Sequence, residues 1–313
     1  MSSGCKIVFM GTPDFAAIIL KGLINISKPI LVITQPDKPA GRGKKIKVSA
    51  AKSLAIENGI EVFSPENINS DESIEFLKNM EFDLILIAAY GKILSERFLN
   101  IKKDTIFNIH ASLLPKYRGP APINWALING EEKTGITFQK VAYKLDSGDI
   151  VLRREIPIEM GDNAGTLHNK LAGLACEMLP EFIERFMSDR LKYEPQDESL
   201  ATYAPMLKKE DGRLNFSLSA KELLNRIRGL NPWPSTYTYY KGILIKVLSA
   251  DIYENHNPSE PGTIIEASER GIYVATSNGV LIIKRVQREG RNPLNVKEFL
   301  TGNPIYPGEK FEF

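Results

Sequence analysis

The sequence predicts an α/β protein: a Rossmann-like, open and mostly parallel sheet, followed by a small β-barrel. Three observations carry this. Short apolar stretches, KIVFM, PILVIT, DLILIAA and TIFNIHAS, alternate with helical patterns between Lys6 and Ser112, as parallel strands covered on both faces by crossover helices must. A long stretch of helical periodicity, Ala164 to Met187, closes that series. Beyond a polar segment, the remaining chain holds short strands bounded by Gly, Pro and Asn, the pattern of a small barrel.

Taken in order, Lys6 to Met10 reads as a buried strand, followed by a tight turn and a helix with Thr12 as N-cap and Pro13 at its first position. PILVIT is the second strand. SAAKSLAIENG is a helix capped by Ser49 and stopped by Gly59, and SDESIEFLKNM another. DLILIAA and TIFNIHAS complete the parallel series, and TGITFQKV with DIVLRREIPI reads as a strand pair. SAKELLNRIRGL is a short amphipathic helix, and STYTYYKGILIKVLSADI, GTIIEAS and GIYVATSNGVLIIKRVQ supply the barrel strands. The expected organisation is an N-terminal domain over residues 1–188, a linker over 189–206 and a C-terminal domain over 207–313.

Composition bounds the function. At 313 residues the chain is long enough for two cores, and with 43% apolar and 25% charged residues it is ordinary for a globular protein. Its two cysteines, Cys5 and Cys176, lie far apart without metal-ligand spacing, which fits a reduced, cytoplasmic setting and excludes a disulfide scaffold. No window approaches the roughly 20 apolar residues of a membrane span, and IVFM is too short for a signal peptide. A net charge of +2 is too small for bulk attraction to nucleic acid, so such a partner needs a local basic patch. Nothing demands more than a monomer.

In open parallel sheets ligands bind beyond the strand C-termini, where GTPDF, AAYGKIL and NIHASLLP all fall. The first is a poor dinucleotide site. Pro13 and Ala16 stand where the fingerprint has its second and third glycines, and Pro13 obstructs a pyrophosphate. The third is different. Asn108 and His110 lie two apart on a strand and so share a face. Taken alone they could be a turn-forming Asn and a His satisfied by backbone. At a crevice, an amide donor beside an imidazole suits acyl-group transfer, in which a carbonyl oxygen becomes an oxyanion and a proton moves near neutral pH.

A carboxylate to orient the ring could come from KLDSGDI, which holds Asp146 and Asp149; Asp is also frequent in turns for local reasons. There is no G-x-S-x-G, and Cys176 sits mid-helix among apolar neighbours, so direct transfer to an incoming nucleophile is expected rather than a covalent enzyme intermediate. No metal is expected. The loop DKPAGRGKKIK, with Lys38, Arg42, Lys44, Lys45 and Lys47, and the stretch IKRVQREGR are the basic patches that could neutralise phosphates; either could equally be solvated surface.

The stretches FMGTPDFA, QPDKPAGRGKK, AAYGKIL, FNIHASLLPKYRGPAPINWALINGE, LDSGDI and NPWPSTYT resemble those of the methionyl-tRNA formyltransferase family, over most of the chain. Asn-x-His, SLLP and Asp-x-Gly are shared by folate-dependent formyltransferases at large; the Gly-Arg-Gly-Lys-Lys loop with a C-terminal barrel narrows the resemblance to the tRNA enzymes. It implies a formyltransferase-type sheet with an OB-like barrel that binds tRNA, and formyl transfer from 10-formyltetrahydrofolate to the amino group of methionyl initiator tRNA. It also implies Asn108, His110 and Asp146 as the catalytic trio, and Ser112, Leu113, Leu114, Pro115, Tyr90 and Gly91 as folate contacts. Arg42, Lys44 and Lys45 are the implied tRNA contacts. The chain departs from the family at VAYKLD, where Lys144 stands in a normally acidic, Gly-containing approach, and at Ser235, where Gly is usual after Trp-Pro.

Overall fold

The computed structural model describes residues 4–40, 45–253 and 259–313. The chain folds into two compact units. One comprises Met1–Pro122, Lys133–Ile156 and His168–Pro205; the other comprises Ile123–Glu132, Pro157–Leu167 and Met206–Phe313.

The first unit opens with β1 (Ile7–Gly11), α1 (Asp14–Ile26), β2 (Leu31–Ile33), β3 (Lys38–Ala40), β4 (Lys45–Lys47), α2 (Ala50–Glu57) and β5 (Glu61–Phe63). It continues through α3 (Asp71–Lys78), β6 (Leu84–Ala88), α4 (Glu96–Leu99) and β7 (Ile106–His110). After α5 (Pro122–Ile128), which falls mostly in the second unit, come β8 (Lys133–Lys140), β9 (Ile150–Pro157) and α6 (Ala164–Met187). Seven strands form one sheet in the order β5-β2-β1-β6-β7-β8-β9; β3 and β4 pair separately. The five strands from β5 to β7 are parallel, and β8 turns antiparallel to β7. Every residue of β1 and β6 is buried, as expected of strands covered on both faces. One cover is α6, whose Phe182 packs against Phe107 and Phe138 at ring separations of 5.2 and 4.8 Å.

The start of α1 differs from expectation: Pro13, not Thr12, is the N-cap, and no side chain caps it. Thr12 has other work, its Oγ1 accepting from the Gln35 backbone N–H at 3.2 Å and so tying the ends of β1 and β2 together. Ser49 caps α2 as expected, and Ser70 caps α3, each accepting from the N–H three residues on. Gly11 ends β1 under tight constraint. A Cβ there would lie 2.5 Å from Ala16 Cβ and 2.6 Å from Ala88 O, so glycine lets this turn press against β6.

The second unit contains α7 (Ala220–Gly229), β10 (Thr236–Tyr240), β11 (Ile243–Tyr253), β12 (Ile264–Ser268), β13 (Gly271–Ala275), β14 (Val280–Arg288), β15 (Leu294–Asn295) and α8 (Val296–Gly302). Its antiparallel sheet runs β10-β11-β14-β13-β12, with β15 on β14. The chain end closes it: Tyr239 on β10 exchanges backbone hydrogen bonds with Glu312, while Phe311 N–H donates to Gly262 O and Ile264 N–H to Glu309 O beside β12. Both edge strands are thus covered, which makes the sheet a small barrel around Phe216, Leu223, Val247, Val274 and Phe311. Ser219 and Glu222 form a capping box at α7, and Asn124 Nδ2 from α5 donates to Gly229 O at its other end, 2.7 Å away. Ser235 adopts the left-handed conformation (φ 69) in which the family's glycine is at ease. Among the described residues no helix is long and apolar enough to cross a membrane.

Candidate active site

The end of β7 places the first two groups. Asn108 and His110 face the same side, and both reach the carboxylate of Asp146: Asn108 Nδ2 lies 3.5 Å from Oδ1, and His110 Nδ1 lies 3.7 Å from Oδ2. The first is at the limit of a hydrogen bond and the second is a contact of unlike groups. His110 Nε2 is 2.9 Å from the carbonyl of Tyr117; a carbonyl only accepts, so Nε2 carries a proton. His110 is 6% exposed and Asp146 13%, so the pair is enclosed without being sealed.

Asp146 stands at φ 47, a conformation open to Asp but unfavourable for most residues. Shorter bonds hold its carboxylate: Gly119 N–H donates to Oδ2 at 2.9 Å, and Gln139 Nε2 donates to Oδ1 at 2.9 Å. Gln139 comes from β8, whose register sets it opposite Asn108 and sets Thr137 opposite His110. Thr137 Oγ1 in turn donates to Ser112 O (2.7 Å) and accepts from Leu114 N–H (3.2 Å), anchoring the turn that follows β7. The polar alternation of Thr137 and Gln139 between Ile136 and Phe138 is visible in the sequence, and it is the signal by which Gln139 could have been found.

Residues 194–204 build the other wall. Glu194 bridges Ile150, Thr202 Oγ1 accepts from Tyr117 N–H at 2.9 Å, and Ala204 N–H donates to Arg118 O at 2.7 Å. The polar composition that reads as a connector is therefore in part a set of donors and acceptors for this unit. Lys144, the unusual residue of the approach to Asp146, pairs with Glu198, which also binds Arg118 at 2.8 Å. Hydrogen bonds from Arg118 and Lys144 push the Glu198 carboxyl down to about 2. Glu198 thus links the turn at Lys144 to Arg118. Asp149 is the carboxylate the site leaves aside; its backbone oxygen accepts from Lys140 N–H at 2.9 Å.

Ser112, Leu113, Leu114 and Pro115 form the turn after β7, and Tyr90 and Gly91 the loop after β6, where Ile87 lies opposite Asn108. The side chains of Ser112, Leu114 and Tyr90 are buried, and Ser112 Oγ is engaged with Lys116 O at 2.6 Å. These segments offer main chain rather than charged side chains. Burial pushes the Tyr90 hydroxyl up to about 12, and its carbonyl accepts from Gln35 Nε2 at 2.7 Å. Arg42 and Lys44 lie outside the described residues, and Lys45 opens β4. Burial raises the Cys176 thiol above its ordinary value, in keeping with packing against α1 at Gly22 rather than with a nucleophile. Among the described residues no cluster of three or more His, Cys, Asp or Glu is arranged to hold a metal ion.

A mostly parallel sheet, with an amide, an imidazole and a carboxylate convergent beyond β7 and a barrel downstream, is an arrangement suited to group transfer. The formyl transferase family model matches residues 5–183 and the formyl transferase C-terminal domain model residues 206–304. Methionyl-tRNA formyltransferase of Clostridium tetani is 45% identical over 304 residues, covering 97% of this chain and 98% of that protein. The enzyme of the same name from Geobacter sulfurreducens is 41% identical, over 98% and 97% of the two chains. The chain belongs to the methionyl-tRNA formyltransferase family of formyl transferases. In fold it is similar to a solved N-formyltransferase from Helicobacter canadensis, with a TM-score of 0.69 at 18% identity over 91% of this chain and 99% of that one.

Proposed function

We propose that this chain transfers a formyl group from 10-formyltetrahydrofolate to the free amino group of methionyl initiator tRNA, giving N-formylmethionyl-tRNA for translation initiation. The observation that carries the reading is the meeting of Asn108, His110 and Asp146 at the end of β7, in a chain of this family. Asn108 and His110 stabilise the oxyanion, and Asp146 keeps the imidazole in place. The α-amino group of an aminoacyl ester loses its proton at or below the roughly 7.7–8.0 of a free N-terminus, so neutral amine is present at physiological pH.

The amine nitrogen bonds to the formyl carbon, and the carbonyl electron pair moves onto oxygen. That oxygen accepts hydrogen bonds from Asn108 Nδ2–H and His110 Nε2–H, the latter in competition with the Tyr117 carbonyl, an acceptor of the same kind. The bond from carbon to the folate nitrogen then breaks, and that nitrogen takes the proton given up by the amine, through His110 or water. The main-chain turns at Ser112–Pro115 and Tyr90–Gly91 suit a neutral, flat pterin that presents amide-like donors and acceptors. Arg42, Lys44 and Lys45 bind near the tRNA acceptor end. On this reading residues 1–188 hold the reaction, 189–206 link and 207–313 bind tRNA; the enzyme acts as a monomer in the cytoplasm.

Incubation with labelled formylfolate and charged initiator tRNA tests this, against elongator methionyl-tRNA and against small amines such as an amino sugar. Formylation of the initiator tRNA is the expected result. Turnover only on small amines would reassign the substrate, and tRNA binding without folate-dependent turnover would remove the enzymatic reading.

A further inference from the structure

Behind the trio runs a polar chain that the reaction above does not use. Gln139 is 2% exposed, and its bond to Asp146 Oδ1 is shorter than the approach of either Asn108 or His110 to that carboxylate. Gln139 Oε1 accepts from Gln196 Nε2 at 3.2 Å. Gln196 Nε2 also faces the carbonyls of Asp146 (2.9 Å) and Gly148 (2.7 Å), spanning the turn that carries the carboxylate. Gln196 Oε1 accepts from Arg118 twice, at 3.1 Å from Nε and 2.8 Å from a terminal nitrogen. Arg118 is fully buried, and the terminal nitrogen that donates to Gln196 also lies 2.8 Å from a Glu198 carboxylate oxygen.

These partners leave each amide one orientation. Turning Gln196 over would set its NH2 against a guanidinium and its oxygen against two carbonyls; turning Gln139 over would set an oxygen against a carboxylate. Donors therefore run in one direction, from guanidinium through two amides to Asp146. The turn needs such ties because Asp146 is held at φ 47, from which an untethered turn relaxes.

We propose that Gln139 and Gln196 are positioning residues that hold the Asp146 carboxylate against Asn108 and His110: Gln139 by its direct bond, Gln196 by clamping the turn and fixing the Gln139 amide, with Arg118 as the anchor. The proposal rests on the role given to Asp146 under the proposed function, and its test separates the two. The variants are Gln139→Met, Gln196→Met, the double variant and Gln139→Glu, which keeps the shape and the acceptor for Gln196 but turns the donor into a second carboxylate. Asp146→Asn serves as the control for the reading of the site.

Two readouts are taken: steady-state formylation of charged initiator tRNA, and 15N spectra of the imidazoles. The spectra are simple because the chain has three histidines, His110, His168 and His256. In each single variant kcat falls about 10- to 100-fold, as for a misplacement of order 1 Å, while KM for the folate donor stays within about twofold. The double variant is no more than about twofold worse than the poorer single one, because residues acting in series are not additive. The His110 resonances move and those of His168 stay. Retained kcat, single effects that multiply in the double, or unmoved His110 resonances in variants that fold like the parent overturns the proposal. If Gln139→Met does not fold, Gln139→Glu decides by the same readouts. If Asp146→Asn leaves turnover near normal, the reading of the site fails on its own, and the His110 spectra alone decide whether the two glutamines position Asp146.

Discussion

Gly148 is two residues beyond Asp146, and a methyl group added there has nowhere to go. A Cβ at Gly148 would stand 1.8 Å from Lys140 O, 2.9 Å from Lys140 C and 3.3 Å from Ala142 N, all of them main-chain atoms. No side chain can swing aside to make room. A tolerable contact of 3.0 Å or more requires the two backbones to part by at least about 1.2 Å, and Lys140 ends a strand paired along β7, with Val141 N–H bonded to Ile106 O. The turn must therefore yield. Displaced by about 1 Å, Asp146 would exchange 2.9 Å bonds from Gly119 and Gln139 for separations beyond hydrogen-bonding range. Gly148→Ala should lower kcat on the order of 100-fold and cost about 1–3 kcal/mol of stability as overpacking. Its φ lies outside the left-handed region, so the effect belongs to contact and not to backbone strain. Steady-state formylation with a parallel thermal melt measures both quantities. A variant that turns over within about threefold of the parent would refute the claim that the placement of this turn governs the reaction.

Asn108→Ala and His110→Ala should each reduce turnover about 100- to 1000-fold while folate binding, followed by fluorescence titration, is kept; near-normal turnover removes either from the mechanism. Arg42→Ala should weaken use of charged tRNA and make its salt dependence shallower, and an unchanged slope of log KM against log salt returns that loop to solvated surface. Ser219→Ala should cost about 1 kcal/mol in urea unfolding at pH 7 by deleting the α7 cap. Hydrogen bonds from the Ser219 hydroxyl and backbone N–H hold the Glu222 carboxyl below its ordinary range. Its contribution is thus present above the unfolded carboxylate value and is lost as pH falls through the lowered folded value. The difference between parent and Ser219→Ala should accordingly narrow in acid; a gap that is constant from pH 7 to pH 3 contradicts this.

Much of the fold was legible because its signals are local. The parallel strands, the helices capped by Ser49, Ser70 and Ser219, and the strand pair that became β8 and β9 follow from hydrophobic period and caps. Thr12 misled because its hydroxyl serves Gln35, a partner in another strand that a capping rule does not see. The short α4 and α8 begin at the caps Ser95 and Asn295 but are too brief to show a hydrophobic period, and the grouping of Ile123–Glu132 and Pro157–Leu167 with the C-terminal residues had no local mark.

Alone, the sequence determined the kind and order of the parallel strands and the longer helices, the shared face of Asn108 and His110, and, through its motifs, the chemistry to look for. Each of these is written within a few neighbouring residues. Tertiary structure alone decided that Gln139, Gln196 and Arg118 stand behind Asp146, that Lys144 is neutralised by Glu198, and that the chain end closes the barrel. Most of these partners are some fifty residues or more apart along the chain, and their hydrogen bonds require β8 paired with β7 and the segment beyond α6 lying across the site.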